Sequence, residues 1–429
     1  MLEPTDKPAH PLPPPYFESP DRRFRLYQGD CLELMPLMPA ETFDLIFADP
    51  PYFLSNNGIT CHAGKMVSVN KGKWDQSKGA EADHEFTLRW LAECRRLLKP
   101  HGSIWVSGTM HIVHSMGYAM QRLGYKLLND ITWVKPNPPP NLSCRYFTHA
   151  TETLLWAGRD KKCRHKFNYA LMKRVNRGKQ MKSVWEIEAP RREEKVFGKH
   201  PTQKPVALLE RIIAAASDEN DLVLDPFSGS ATTGIAAARL GRAYAGVERE
   251  PLFLHISECR FNGVPQADSP DRILALVRGH ADGCPGPEQL AATLGLSERQ
   301  VHYYRQAASL LGFISRSGGE WQLSEPGRAL TCADAAQARV ILAHTMLAVP
   351  LVSLAASRAR AHKYSGPRLE AVARLLRGAS ALGESTCLRR AQTLLAWIAW
   401  TQECLEAKAR LPFDQVPAAP EEAEDAAVA

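Results

Sequence analysis

The stretch Leu222-Val223-Leu224-Asp225-Pro226-Phe227-Ser228-Gly229-Ser230-Ala231-Thr232-Thr233-Gly234 carries the strongest indication of the fold. Its first three residues predict a buried strand, which ends in an acid and is followed by a Gly/Ser turn and a helix at residues 232–240. In such a unit a ligand can approach the backbone of the turn and the N-terminus of the helix. The turn lacks the lysine of a P-loop, which disfavours a nucleoside triphosphate. A tight strand–helix turn without a ligand is the alternative.

Helices and strands alternate on both sides of this stretch. Predicted helices lie at residues 85–98 and 205–216, among predicted strands at residues 24–27, 43–48, 102–108, 125–134, 153–157 and 243–247. The alternation predicts an α/β fold, a Rossmann-like, doubly wound, mainly parallel sheet whose ligands lie outside the carboxyl ends of the strands. Glu248 follows the strand at residues 243–247 and is placed to accept hydrogen bonds from a ribose.

A second motif, Asp49-Pro50-Pro51-Tyr52, follows the apolar strand at residues 43–48. With Asp49 and the Pro50 carbonyl as acceptors and Tyr52 as a stacking surface, it suits an amino-bearing heterocyclic base. The amino group of adenine or cytosine is a weak nucleophile because its lone pair is delocalised into the ring. Two fixed acceptors would localise that lone pair and stabilise the positive charge that develops on alkylation. A rigid turn without a catalytic role is the alternative.

Together the two motifs resemble the β group of amino-DNA methyltransferases, in which Asp-Pro-Pro-Tyr precedes the S-adenosylmethionine loop. The resemblance is strongest to the DpnA-like adenine methyltransferases and covers residues 24–262. It is carried by residues 48–56, 67–69, 71–72, 137–149, 200–205 and 225–234. It implies the fold of a class I methyltransferase and S-adenosylmethionine as the cofactor.

The resemblance also assigns individual residues to the site. Asp49, Pro50, Pro51 and Tyr52 would be catalytic. The residues expected at the cofactor are Asp30, near its adenine; Thr202, Gln203 and Lys204, closing the pocket; Phe227, Gly229, Thr232 and Thr233, around the methionine moiety; Asp225 and Ser230, in the same loop; and Glu248, at the ribose. Ala231 stands where the family usually has Gly, and we expect its methyl group to be tolerated if the backbone angle there is ordinary.

The net charge of +7 is concentrated in one segment. Residues 135–204 hold 17 Lys and Arg against 6 Asp and Glu, with aromatic side chains between them. Basic groups neutralise phosphates, while aromatic, Asn and Arg side chains contact bases. In the resembled group this segment is the target-recognition region. We therefore expect DNA contacts from Lys135, Asn137, Asn141, Arg145 and Lys179, with a solvated charged face as the alternative.

After a polar break at residues 262–270 the pattern changes. Helical spacing without strand alternation predicts a mainly helical domain at residues 271–410, separate from the methyltransferase domain at residues 23–262. Two helices at residues 287–295 and 297–311, followed by a hairpin at 313–323, resemble a winged helix, whose Arg299 and Arg305 would contact DNA. A helical packing or dimerisation module is the alternative. The ends, residues 1–22 and 411–429, are predicted to be a Pro-rich and an acidic tail.

Composition excludes several other classes of protein. Hydrophobic residues make up 45% of the chain and charged residues 23%, which excludes global disorder. Ten Cys without a Cys-x-x-Cys pair are typical of reduced thiols. The N-terminus lacks the features of a signal peptide, and the apolar stretch at residues 340–357 is too short to span a bilayer. His111 and His114 have no further ligand at metal spacing, so no metal site is expected.

The sequence thus predicts a cytoplasmic methyltransferase that flips an adenine out of double-stranded DNA and methylates its N6, as a monomer or a homodimer. The resemblance implies a restriction–modification role beside a cognate endonuclease. Single-stranded DNA is a further expected substrate, and the resemblance hints at a GATC-like target. Cytosine N4 is the nearest alternative, although Asp49 favours adenine because the cytosine enzymes more often carry Ser there. A non-catalytic DNA-binding regulator and an RNA methyltransferase are further alternatives.

Overall fold

The computed structural model describes residues 11–55, 59–62, 65–68, 75–281, 285–317, 320–362 and 364–409. The chain divides into two units, Met1–Asn262 with Ala379–Leu382 and Gly263–Gly378 with Gly383–Ala429. Several predicted features lie outside the described residues: residues 1–10 and 411–429 of the two tails, the tip of the hairpin at residues 318–319 and the resembled residues 56, 69, 71 and 72. The predicted N-terminal tail does not extend to residue 22, because residues 17–18 form a strand and Phe17 is buried.

The first unit contains the predicted alternation of strands and helices. Its strands are β1 (Phe17–Glu18), β2 (Phe24–Gln28), β3 (Phe43–Ala48), β4 (Ile59–His62), β5 (Lys65–Ser68), β6 (Leu98–Gly108), β7 (Lys126–Val134), β8 (Thr151–Gly158), β9 (Val184–Glu186), β10 (Leu222–Asp225) and β11 (Ala243–Glu248). Its helices are α1 (Cys31–Leu34), α2 (Ala80–Leu97), α3 (Val113–Arg122), α4 (Tyr169–Val175), α5 (Val206–Ala216), α6 (Thr232–Arg239) and α7 (Pro251–Asn262).

Nine of the described strands form one sheet in the order β1-β2-β11-β10-β3-β6-β8-β7-β9. Strands β2, β11, β10, β3 and β6 run parallel, whereas β8 is antiparallel to both of its neighbours. The predicted Rossmann-like, mainly parallel sheet is therefore confirmed. The chain leaves β3 towards β6 on one side and β10 towards β11 on the other, so the boundary between β3 and β10 is the topological switch point at which such sheets bind ligands.

Helices cover both faces of this sheet, which explains the unbroken apolar sequence of β3. Every residue of Phe43–Ala48 is buried. Leu45 and Phe47 belong to the core cluster that includes side chains of α5 and α6. Ile46 and Ala48 belong to the opposite cluster, with side chains of α2 and α3. A strand buried on both faces is held in position by the core. The Asp49–Tyr52 motif, which directly follows β3, is therefore held in position as well.

The second unit is mainly helical, as predicted. Its elements are α8 (Pro270–Arg278), α9 (Pro287–Leu294), α10 (Glu298–Leu310), β12 (Ile314–Ser317), β13 (Glu320–Leu323), α11 (Glu325–Cys332), α12 (Ala335–Ala348), α13 (Pro350–Arg360), α14 (Ser365–Ala379) and α15 (Glu384–Ala409). Helix α10 begins at a capping box, in which Ser297 Oγ accepts from the Gln300 N–H and the Gln300 side chain accepts from the Ser297 N–H. Three helices followed by an antiparallel hairpin are the order of a winged helix, which stays a prediction.

No single helix in the described part of the chain has both the length and the hydropathy needed to cross a bilayer. Helices α12 and α13 reach them only as a pair, and the pair is bent by 80°.

Candidate active site at the switch point of the sheet

A cavity of about 610 Å³ lies at the carboxyl ends of four neighbouring strands. Its wall includes Gly29–Leu32 after β2, Asp49–Phe53 after β3, residues 226–227 and 229 after β10, and residues 247–250 at the end of β11. Part of α2 and the segment before it complete the wall. The volume is in the range of small-molecule sites. The two motifs that the sequence separates by more than 170 residues thus share one cavity.

Asp75 holds the backbone of the Asp-Pro-Pro-Tyr turn. One carboxylate oxygen accepts from the N–H groups of Tyr52 and Phe53, both at 2.9 Å. The other accepts from the Leu54 N–H at 3.3 Å and from Ser55 Oγ at 2.8 Å. These bonds fix Phe53 in the left-handed region, with φ of 56°. The sequence reasoning missed Asp75, because it lies 23 residues after Tyr52 and belongs to no motif.

Asp49 is bonded on both of its carboxylate oxygens. Its Oδ1 accepts from the Tyr52 hydroxyl at 2.7 Å, and its Oδ2 accepts from Lys204 Nζ at 2.6 Å. Burial, followed by the charges of Asp49 and Glu152, raises the pKa of Tyr52 well above its usual value, so the phenol remains a donor. The resemblance assigns Lys204 to the cofactor; in the structure its ammonium is paired with Asp49.

Glu152 on β8 completes this group, and sequence reasoning missed it. Its Oε1 is bonded to the ammonium of Lys135, and its Oε2 lies 3.5 Å from Lys204 Nζ. Burial alone would raise the pKa of Glu152, but the charges of Lys204 and Lys135 hold it down to about 2. Lys135, expected at DNA, is thus engaged in an ion pair, and its Nζ lies 4.9 Å from the centre of the Trp133 ring.

Five of the residues predicted at the cofactor line the cavity: Asp30, Thr202, Phe227, Gly229 and Glu248. Glu248 Oε2 accepts from the Gly229 N–H at 2.8 Å, which ties the end of β11 to the loop after β10. Asp30 Oδ1 caps α1 by accepting from the Leu32 N–H at 2.9 Å. Phe227 packs edge-on against Trp90, with ring centres 5.4 Å apart.

Five others lie beneath the loop and are absent from the described cavity wall: Gln203, Asp225, Ser230, Thr232 and Thr233. Asp225 accepts from the Phe227 N–H at 3.0 Å and from Thr233 Oγ1 at 2.5 Å. Gln203 accepts from Ser230 Oγ at 3.2 Å. Their side chains brace the loop in this structure, and their contact with the cofactor stays a prediction.

Arg260 of α7 is a further brace that the sequence reasoning missed. Its guanidinium is buried and donates to the carbonyl and hydroxyl oxygens of Ser230 and to Thr232 Oγ1. Burial lowers the pKa of Arg260 to about 10, so the group still carries its charge at neutral pH.

The condition set for Ala231 is not met. Its backbone has φ of 52° and ψ of 39°, the left-handed region in which an L-residue is strained by roughly 1–2 kcal/mol and glycine is not. Three residues further on, a side chain at Gly234 would come within 2.6 Å of the rings of Phe24 and Tyr244. The loop therefore accommodates the methyl group of Ala231, the N-cap of α6, at the expense of strain, whereas Gly234 is required by packing.

The residues predicted to contact DNA fall into three groups. Asn137, Arg145, Lys179 and Arg299 are exposed. Asn141 organises its own loop, accepting from the Ser143 N–H at 3.0 Å and donating to the Tyr146 carbonyl. Arg305 is only 7% exposed and donates to the Pro285 carbonyl, so the expectation that it contacts DNA is wrong.

One apolar side chain of the loop between β7 and β8 is fully presented to solvent. Phe147 is 96% exposed and its neighbour Tyr146 60%. Burying such a ring would contribute about 1.5–3 kcal/mol. The ends of the loop are anchored at the site, because Lys135 precedes it and Glu152 follows it.

The cavity wall is predominantly acidic. Among the described residues, seven carboxylates line it (Asp30, Asp49, Asp75, Asp83, Glu85, Glu248 and Glu250), against the three cations Lys78, Arg89 and Arg249. This arrangement attracts a positively charged ligand and disfavours a phosphate. His111 and His114 are both exposed, and no group of three or more His, Cys, Asp or Glu in the described ranges is placed to hold a metal ion.

Comparison with known proteins gives two matching family models. The N6_N4_Mtase model, of a DNA methylase, matches residues 43–258. The model of a domain of unknown function matches residues 273–406.

Individual relatives match the first unit. The Type II methyltransferase M2.LlaDCHI of Lactococcus lactis subsp. cremoris is 52% identical over 249 residues, which are 58% of this chain and 92% of that protein. The Type II methyltransferase M2.DpnII of Streptococcus pneumoniae is 51% identical over 247 residues, 57% of this chain and 91% of that protein. Among solved structures, the M1.HpyAVI–SAM complex is 25% identical, with a TM-score of 0.40, and covers 55% of this chain and 97% of that one.

Proposed function

The chain belongs to the N6_N4_Mtase family of DNA methylases, and from this membership we propose that it methylates the N6 amino group of adenine, at Asp49, within a short DNA sequence. One observation carries the assignment of the site. Asp49 and the loop at Phe227–Gly229 line the same cavity, although they come from opposite ends of the unit. A base held at the first would meet a methyl donor held at the second.

The residues of the cavity suit S-adenosylmethionine, which supplies an electrophilic methyl group on a positively charged sulfur. The seven carboxylates of the wall favour a ligand that carries a sulfonium and an ammonium group. Glu248 and Asp30 would bind the ribose and the adenine end, and Phe227 would pack against the apolar part of the ligand. The paucity of cations is consistent with a nucleoside ligand that has no phosphate.

Asp49 and the Pro50 carbonyl would accept the two hydrogens of the adenine amino group. These acceptors are fixed before the base arrives, because Tyr52 holds the Asp49 carboxylate and Asp75 holds the turn. As the nitrogen forms its bond to the methyl carbon, the bond from that carbon to the donor sulfur would break, and the nitrogen becomes positive until it loses one proton to water. The negative charge of Asp49 stabilises the nitrogen most while it is positive. Positioning and electrostatics therefore supply the catalysis that these residues can give.

We place double-stranded DNA against the loop between β7 and β8 and the exposed cations Arg145 and Lys179. Arg145 would neutralise a phosphate, and Phe147 would enter the space that a flipped adenine leaves in the duplex. Single-stranded DNA has no such space and would need only the slot at Asp49. We further propose a cytoplasmic enzyme, a monomer or homodimer, that protects DNA from a cognate endonuclease. Single-molecule sequencing of DNA from cells expressing it would identify the methylated sequence.

The assignment of Asp49 is tested by Asp49→Asn. The amide keeps the size of the side chain but lacks the charge that stabilises the alkylated nitrogen. We expect methyl transfer to unmethylated genomic DNA to fall on the order of 100-fold or more, with cofactor affinity changed by less than about twofold. Mass spectrometry of the wild-type product should give N6-methyladenine.

Asp218→Asn is the matched control, since Asp218 is an exposed acid that pairs with Lys166 away from the cavity. It should leave the rate unchanged. Undiminished transfer by Asp49→Asn would refute the site, and N4-methylcytosine as the wild-type product would refute the adenine assignment.

A further inference from the structure

Four charged side chains meet behind the catalytic turn: Asp49, Glu152, Lys204 and Lys135. Lys204 Nζ lies 2.6 Å from Asp49 Oδ2 and 3.5 Å from Glu152 Oε2, and Glu152 Oε1 is bonded to Lys135. The side chains of Lys204 and Glu152 are only 7% and 10% exposed, so water screens their charges weakly. Two carboxylates and two ammonium groups give the cluster a net charge of zero.

Lys204 lies on the carboxylate that the substrate needs. The amino group of a flipped base must donate to Asp49, whose Oδ1 accepts from Tyr52 and whose Oδ2 holds the Lys204 ammonium at 2.6 Å. Each oxygen keeps a second lone pair, so the ammonium acts through its charge and not by filling the acceptor. During methyl transfer the amino nitrogen becomes positive, and an ammonium beside it repels that charge. In its present position Lys204 therefore opposes the step that Asp49 promotes.

Glu152 offers the ammonium a second position. In the described part of the chain the contacts of its Oε2 are all long: 3.3 Å to the Tyr52 hydroxyl, 3.4 Å to Ser107 Oγ and 3.5 Å to Lys204 Nζ. A charge-assisted bond between an ammonium and a carboxylate is normally about 2.7–2.9 Å long. A shift of Nζ by less than about 1 Å towards Glu152 would complete such a bond.

We propose that Lys204 is a displaceable partner of Asp49, and that Glu152 draws it away when the target amino group enters. Without DNA, Lys204 neutralises Asp49. With the base in place, Lys204 pairs with Glu152 and Asp49 faces the amino group unopposed. Both are positioning residues, since they act on the substrate through Asp49. The inference rests on the proposed function, because it takes an amino group as the ligand of Asp49.

The test compares full-length variants in methyl transfer to unmethylated genomic DNA. Glu152→Gln removes the second position, so Lys204 stays on Asp49, and we expect kcat/KM to fall on the order of 10- to 100-fold. Adding Lys204→Met removes the obstacle as well, so the double variant should be at least about tenfold more active than Glu152→Gln alone. A merely structural role for both residues would make the two losses add.

A second double variant tests whether the recovery comes from removing Lys204 from Asp49 or only from restoring the net charge of the cluster. Glu152→Gln with Lys135→Met has the same net charge as Glu152→Gln with Lys204→Met, but it leaves Lys204 on Asp49. It should be no more active than Glu152→Gln. Cofactor affinity is measured for every variant as evidence of folding and should change by less than about twofold. If Glu152→Gln does not fold, Glu152→Asp serves instead, because its shorter side chain withdraws the oxygen from Lys204.

The outcomes separate the two proposals. A wild-type protein that transfers no methyl group to DNA overturns the proposed function. An active wild type overturns only the exchange in two cases: when Lys204→Met gives no recovery, or when Lys135→Met gives the same recovery.

Discussion

Asp225 shows how burial and function conflict at a single residue. It closes β10, braces the loop through Phe227 and Thr233, and is only 3% exposed. Burial raises the pKa of its carboxyl to about 7, a shift that the bond from Thr233 opposes and that the nearby charges of Asp49 and Glu248 reinforce. An acid needed for the shape of the loop is therefore held where its charged form is disfavoured.

This conflict makes stability depend on pH. An unfolded Asp has a pKa near 3.9, so between about pH 4 and pH 7 the folded chain binds more protons at Asp225 than the unfolded chain does. The free energy of unfolding contributed by this group is therefore largest below pH 4 and is lost as pH rises to 7. Asp225→Asn has no such loss. We expect its stability relative to wild type to increase by more than about 1 kcal/mol from pH 5 to pH 8, measured by urea unfolding.

Asp218→Asn again provides the comparison. The hydrogen bond from Lys166 lowers the pKa of Asp218, so its contribution changes with pH in the opposite sense and below the tested range. A difference between Asp225→Asn and wild type that stays constant from pH 5 to pH 8 would show that the carboxyl is ionised throughout.

The sequence predicts a site residue where that residue belongs to a motif. It does not predict one whose place in the site depends on contacts with distant parts of the chain. Asp49 and Glu248 follow apolar strands, and the sequence places both at the site. Asp75 and Glu152 have no local signal, because their partners come from turns far away in the chain. Arg305 likewise has no local signal, because its burial depends on a bond to the Pro285 carbonyl, 20 residues earlier in the chain.

At the scale of elements, the spacing of apolar residues predicts the strands and helices that are buried on one face and the strands that are buried on both. Strands β3 and β10 are short apolar runs, and the sequence predicts them almost to the residue. Helix α7 was missed because Leu254, Ile256, Ser257, Glu258, Cys259 and Arg260 are all buried, which leaves no apolar stripe. The edge strands β1 and β9 have two and three residues, too few for any period.

The loop between β7 and β8 carries a prediction of its own. If Phe147 fills the space left by a flipped adenine, Phe147→Ala should lower kcat/KM for duplex DNA by about tenfold or more, since stacking contributes about 1–3 kcal/mol per base. Transfer to single-stranded DNA should change by less than about twofold. Both rates are measured with the same labelled cofactor. Phe147→Trp, which keeps a large ring, should retain the activity on duplex DNA.

Tyr364 offers a control for loss of an exposed ring, because it is 76% exposed and belongs to the second unit. Tyr364→Ala should leave the ratio of duplex to single-stranded activity unchanged. An equal loss on both substrates in Phe147→Ala would assign the ring to binding of the base itself and contradict its role in the duplex.

At the scale of the molecule, the first unit corresponds to nearly the whole of its relatives. The match covers 92% of the Lactococcus protein but only 58% of this chain. The catalytic group and the cavity lie entirely within residues 29–253. All the described residues of the candidate site therefore lie in the first unit. The sequence predicts the boundary between the units at the polar break at residues 262–270.

Truncation after residue 262 tests this division. We expect the shortened protein to bind cofactor with unchanged affinity and to retain methyl transfer, with a higher KM for DNA if the second unit contacts the duplex. The slope of log affinity for DNA against log salt should then be less steep than in the full chain, because fewer phosphates are neutralised. A truncated protein that binds cofactor and transfers no methyl group would assign the second unit to the enzyme core.

The acidic wall of the cavity has a consequence for turnover. If S-adenosylmethionine binds in this cavity as we propose, methyl transfer would leave its sulfur uncharged, and the acidic wall would lose one of the two positive charges that it attracts. The same side chains would then hold the product less firmly than the donor. The charge of the wall would in this way favour exchange of product for donor after each round of modification.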